Sequence, residues 1–117
     1  MKLLTRLVLV SGIILCSCTL TTGTRPLLGL PGNLANEADQ ESMRVAIVKA
    51  LDSQPDNTTS TWKNEETGTF VTTRPLSTFE RDDMLCRRMQ LQTGAEGETR
   101  DWIFNYCKTA DGWKVAP

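Results

Sequence analysis

The 117-residue chain contains no histidine. That absence removes the commonest general acid–base group and the usual nucleophile triads, and it denies zinc one of its main ligand types. Basic charge is scarce as well. Thirteen Lys and Arg stand against 14 Asp and Glu, a formal net charge of −1, whereas a nucleic-acid partner wants a basic face and usually a basic balance. No glycine-rich phosphate loop follows a strand and opens a helix, and no C-x-x-C pair offers a redox motif. The one apolar run falls short of the roughly 20 residues that a membrane-spanning helix needs. These absences point away from an enzyme, a cofactor or metal, a small-molecule substrate and a nucleic-acid partner.

What is present begins at the start of the chain. Lys2 and Arg6 precede Leu7-Val8-Leu9-Val10 and Ile13-Ile14-Leu15, and Leu15-Cys16-Ser17-Cys18 follows. This is the layout of a secretory signal peptide over residues 1–17. Its end resembles the bacterial lipoprotein box, in which a small residue precedes a cysteine that is lipidated and becomes the new N-terminus. Ser17 and Cys18 fit that rule and Cys16, behind bulky Leu15, does not, so Cys18 is the expected lipidation site. An ordinary signal peptide cut nearby is the alternative. Either way about 100 residues remain, enough for one small domain. Loss of Lys2 and Arg6 leaves 11 basic against 14 acidic residues, a net charge of −3.

The remaining cysteines, Cys86 and Cys107, read as a disulfide because exported proteins mature in an oxidising compartment. A free thiol is the alternative. Residues 18–35 form the anchor and a linker, rich in Gly and Pro from Thr19 to Ala35 (Gly23, Pro26, Gly29, Pro31, Gly32). Its leucines, Leu27, Leu28, Leu30 and Leu34, are more apolar than a free linker requires and suit docking on the domain or against lipid. Fully extended, the 17 linker residues reach about 55 Å.

A helix is expected after Asn36, a capping residue, with Glu37, Asp39 and Glu41 favoured at the positive end of the helix dipole. Met43, Ala46, Ile47, Ala50 and Leu51 recur at helical spacing, widened by Val45 and Val48, and Pro55 stops the run. β-Rich patterning follows: strands over Thr58–Lys63 and Thr69–Arg74, a charged loop over Pro75–Asp83, then long strands over Met84–Thr93 and Arg100–Thr109. A turn at Asp111-Gly112 leads to a short strand, Trp113–Val115. Placing Cys86 opposite Cys107 puts the hairpin tip in Gly94–Glu98. It also pairs Leu91 with Trp102, Met89 with Phe104 and Arg87 with Tyr106 on one largely apolar face, where Arg87 can stack on Tyr106 as a cation–π pair. The cluster Glu80-Arg81-Asp82-Asp83 reads as a solvated loop in preference to a cation site. Trp62, Trp102 and Trp113 read as core in preference to a ligand platform.

The order of short motifs carries a resemblance. An alanine-rich helix is followed by Trp62-x-Asn64-x-x-Thr67-Gly68, a threonine-rich strand, Cys86-Arg87, and Cys107 ahead of Asp111-Gly112-Trp113. Over Glu37–Val115 this resembles the C-terminal domain of the bacterial 17 kDa surface antigen family of outer-membrane lipoproteins. The resemblance implies a small helix-plus-sheet domain, attachment to the outer membrane and no known enzymatic activity. The glycine-zipper segment of many members is missing, so a membrane-inserting role does not carry over. Arg88 and Met89 stand where an aromatic often follows the Cys-Arg pair. Thr19 after the lipid cysteine, in place of aspartate, matches outer-membrane sorting.

The sequence thus predicts an α+β domain over 36–117, one helix packed on a four- to five-stranded antiparallel sheet with a Cys86–Cys107 disulfide. The expected role is a non-enzymatic, lipid-anchored envelope protein in the bacterial outer membrane, facing the periplasm or the cell surface. Its partner would be another envelope protein or the cell wall. The alternatives are an inhibitor-type binding module, such as one against a lysozyme, and an accessory lipoprotein of a secretion system.

Overall fold

A computed structural model describes residues 35–95 and 97–116. The expected signal peptide, the expected lipidation site Cys18 and all of the expected linker but Ala35 lie outside the described residues.

Helix α1, Glu37–Ser53, comes first. Asn36 is extended and its side chain accepts the Asp39 amide at 2.7 Å, closing the first turn as an N-cap should. The Gln54 amide donates to the Ala50 carbonyl at 2.9 Å, and Pro55 ends the helix. Met43, Ile47, Ala50 and Leu51 form the buried face. Ala46 and Val48 flank it half-buried, but Val45, expected to widen the stripe, is 51% exposed. At 100° per residue Val45 lies almost opposite Ile47, so its apolar character has no core to face.

Strands β1 (Ser60–Lys63), β2 (Phe70–Arg81), β3 (Met84–Ala95), β4 (Glu98–Thr109) and β5 (Gly112–Val115) form one antiparallel sheet in the order β1-β2-β3-β4-β5. The helix packs on one face. The core joins Met43, Ile47 and Leu51 of α1 to Val71, Met89, Leu91, Tyr106 and Trp113 of the sheet. Burial of each large apolar side chain contributes roughly 1.5–3 kcal/mol.

The β3–β4 register is the one the cysteines imply: Cys86 faces Cys107, Arg87 faces Tyr106, Met89 faces Phe104 and Leu91 faces Trp102. Pairing continues to Ala95 and Glu98, and Gly97 takes the positive φ of +82° that the tight turn demands. Cys86 and Cys107 are joined, with Cα atoms 4.0 Å apart. Strand alternation places the disulfide on the sheet face away from α1. On that same face the Phe70 ring lies across Gly94 and occupies the space a side chain there would need.

Every strand has a boundary that differs from the sequence reading, most by one or two residues: β2 starts at Phe70, β3 runs to Ala95, β4 starts at Glu98 and β5 at Gly112. β1 begins at Ser60, because the chain first turns through Asp56-Asn57. More substantially, Pro75–Asp83 is not a loop: β2 runs on to Arg81 and pairs with β3 as far as Met84. Pro75 is accommodated because β1 stops at Ser60, opposite Thr73, so β2 is itself an edge beyond that point. The register also shifts between Pro75 and Ser77. Edges and bulges are where a sheet tolerates proline. The turn is made by Asp82 and Asp83, both at positive φ (52° and 63°).

Candidate functional site

The helix is fixed to the sheet at both ends by buried polar side chains. At its N-terminal end Asp39 is 2% exposed. Its carboxylate accepts Asn64 Nδ2 at 2.7 Å, Thr67 Oγ1 at 2.7 Å and Asn36 Nδ2 at 3.2 Å. Asn64 and Thr67 belong to the β1–β2 turn. The Gly68 amide donates back to the Asn64 carbonyl, and Gly68 itself sits at φ +77°. The donors from Asn64 and Thr67 stabilise the charged form and hold the Asp39 carboxyl below its ordinary range, against the opposing effect of burial. The Trp62-x-Asn64-x-x-Thr67-Gly68 motif is thereby explained as the receptor for the helix N-terminus.

At the other end Arg87 reaches across from β3. Its Nη1 donates to the carbonyls of Ala50 and Leu51, both at 3.0 Å. Nη2 donates to the Gln54 carbonyl and, at 2.7 Å, to Asp56 Oδ1, while Nε donates to Thr78 Oγ1 at 3.1 Å. The last turn of α1 holds no basic residue. Arg87 supplies from the sheet the positive charge that a helix C-terminus favours. The guanidinium that was expected against the Tyr106 ring is thus aimed at the helix end. Its hydrogen bond to Asp56 lowers that carboxyl. Trp113 Nε1 adds a 2.8 Å bond to Asp52, and Lys108 approaches the same carboxylate at 3.5 Å.

Between these clamps, α1 and β1 do not close on each other. An open groove of about 550 Å³ runs between them. Ser42, Ala46, Ala50 and Ser53 line its helix side, and Trp62, Val71 and Thr73 its sheet side. Small residues on the helix, Ser42, Ala46 and Ser53, help to leave this space open. Val45, Glu41 and Lys49 stand along the outer lip. Glu41 is also paired with Arg44 at 2.6 Å, which lowers the carboxyl and raises the guanidinium. The groove is mostly apolar, and its sheet wall ends in an edge strand.

Cys86 and Cys107 are brought together as expected, whereas Cys18 lies outside the described residues. The Glu80-Arg81-Asp82-Asp83 cluster sits exposed at the β2–β3 turn. No group of three or more His, Cys, Asp or Glu is placed to hold a metal among the described residues. Trp113 is buried, and Trp62 and Trp102 pack half-buried against the core. The sequence reading missed the buried role of Asp39, the Arg87 cap and the groove. The signal available for the first two was a carboxylate on the helix's first turn and an arginine on the apolar side of a strand.

No protein-family model, curated protein or solved structure matches the chain. The surface-antigen resemblance therefore rests on the motif order alone.

Proposed function

We propose that this chain is a lipid-anchored, non-enzymatic protein of a bacterial envelope, tethered to the outer membrane through Cys18, whose α+β domain binds or braces another envelope component. The observation that carries the reading is the Cys86–Cys107 disulfide within the sheet. It suits an oxidising compartment. It also uses both cysteines of the domain, which leaves Cys18 for lipid. The motif order shared with the 17 kDa surface antigen family supports the same reading.

The test is acyl labelling and membrane fractionation of the full chain expressed with its own leader. Wild type and Cys16→Ser are expected to carry the label and pellet with the outer membrane. Cys18→Ser is expected to lose both. Label retained in Cys18→Ser overturns the anchor, and cross-linking of the anchored protein in cells identifies what the domain touches.

A further inference from the structure

We propose that the sheet face turned away from α1 is a docking surface for an anionic phospholipid bilayer. The strand registers bring Arg74, Arg88 and Lys114 to that face. All three are exposed, and none forms an ion pair with another described residue. Lys63 and Arg81 share the face at its margins, Lys63 with Glu65 3.8 Å away and Arg81 beside the Asp82-Asp83 turn. Asp101 is the one carboxylate that the described strands place there, and it accepts Gln92 Nε2 at 3.2 Å. Glu37, Asp39, Glu41 and Asp52, by contrast, all belong to α1. A chain of formal charge −1 therefore presents one strongly positive face. The acidic groups of α1 lie across the sheet from it, at a distance on the order of the 10 Å Debye length in 0.1 M salt, so they weaken its attraction for anions little.

Cations alone would suit any polyanion. What selects a bilayer is the apolar side chain among them, Ile103, which is 53% exposed. Ile103 pairs with Gln90, and Gln90 pairs in turn with Arg74, so Arg74 and Ile103 are two strand spacings apart, about 10 Å. Arg88 pairs with Asn105, two residues along β4, which makes it a diagonal neighbour of Ile103 at about 7–8 Å. A soluble polyanion offers an isoleucine nothing. A bilayer offers phosphates to the guanidinium groups and acyl chains to the isoleucine at the same time. The helix packs on the opposite face and leaves this one uncovered by any described element.

Lipidation at Cys18 is not required for this contact. In a protein anchored there, the contact would set orientation: the sheet lies on the bilayer, and α1 with its groove faces away from it.

The experiment uses the full chain with its own leader, carrying Cys16→Ser and Cys18→Ser. With Cys86 and Cys107 joined, an introduced cysteine is then the one thiol open to labelling. An environment-sensitive fluorophore is placed at Gln90→Cys on the sheet face or at Val45→Cys on α1. Vesicles are phosphatidylcholine alone, or two parts phosphatidylcholine to one part phosphatidylglycerol, in about 0.1 M salt. Any contribution of the leader is common to both positions. The position-90 probe is expected to brighten at least threefold more on the anionic vesicles than on the neutral ones, while the position-45 probe stays unchanged. At subsaturating lipid, Arg74→Gln and Arg88→Gln are each expected to lower the position-90 response about fivefold. Ile103→Ser is expected to lower it as well, with the circular dichroism spectrum unchanged in all three variants. Equal responses at positions 90 and 45 overturn the proposal, and so does a position-90 response that neutral vesicles match. A response that survives Arg74→Gln combined with Arg88→Gln overturns it by assigning the contact to another surface. A position-90 response to soluble dextran sulfate but not to vesicles overturns it in favour of a polyanionic polymer. Failure of the anchor reading shows separately, in the acyl labelling of Cys18, and leaves this comparison intact because Cys18 is absent from it.

Discussion

Arg87 concentrates more of this domain's polar bonding than any other described side chain, and it does so at a place where water cannot substitute. Its removal would leave the Ala50 and Leu51 carbonyls without their charged donor at a buried helix end. Arg87→Met is therefore expected to lower the unfolding free energy by about 3 kcal/mol in urea titrations. Arg87→Lys should recover only part of that loss, because a single ammonium cannot reach carbonyls, Asp56 and Thr78 together. Asp39 makes a different prediction, in pH. Its carboxyl is lowered by Asn64 and Thr67, and that of Asp56 by Arg87. A depressed folded pKa contributes stability that is present above the unfolded value, near 3.9, and is lost as pH falls through the folded one. Urea midpoints should thus hold from pH 7 to about pH 4 and then fall steeply, and Asp39→Asn should flatten that fall. Gly94 tests packing. Gly94→Ala is expected to cost about 1–2 kcal/mol, with most of the loss cancelled in a Phe70→Ala background, a coupling that a double-mutant cycle reads directly.

At the scale of elements, the β3–β4 hairpin was readable from the chain and the β2–β3 hairpin was not. The difference is physical. The first has two cysteines, a glycine-rich tip and an alternation of apolar and polar residues, and all three specify the same register. The second turns at Asp82-Asp83 without glycine, and its approach carries Pro75 and a run of charges, features that local propensity assigns to loops. What overrides propensity there is pairing with β3 along the whole length of β2, and that is a long-range fact. The groove was illegible for the same reason. Ala46 reads as a core residue by spacing, and only the position of β1 leaves it half-buried beside open space. The disulfide belongs to this scale too. It closes a loop of 21 positions, worth on the order of 3 kcal/mol in the chain-entropy account. Cys86→Ser, Cys107→Ser and reductant are each expected to lower the melting temperature by at least about 10 °C in calorimetry. The double variant should match the single ones.

Across the described residues, one helix on a five-stranded meander is a modest core, and the two polar clamps set how its layers lie. Hydrophobic burial between α1 and the sheet is non-directional; Asp39 and Arg87 supply the direction. They fix the helix along its axis, with Asn64 and Thr67 at one end and Asp56 and Thr78 at the other.

Those same clamps decide how the domain bears load. A pull on the chain upstream of Ala35 reaches the packing of Ala35, the Asn36 cap and the Asp39 bonds to Asn64 and Thr67 before it reaches the buried face of α1. The tension is thereby delivered to the β1–β2 turn, at one edge of the sheet, and not along α1 into the core. The disulfide staples β3 to β4, two strands further in and beyond that line of force. Under tension the domain would give way by peeling, with the helix and β1 leaving first and the cross-linked β3–β4 pair last.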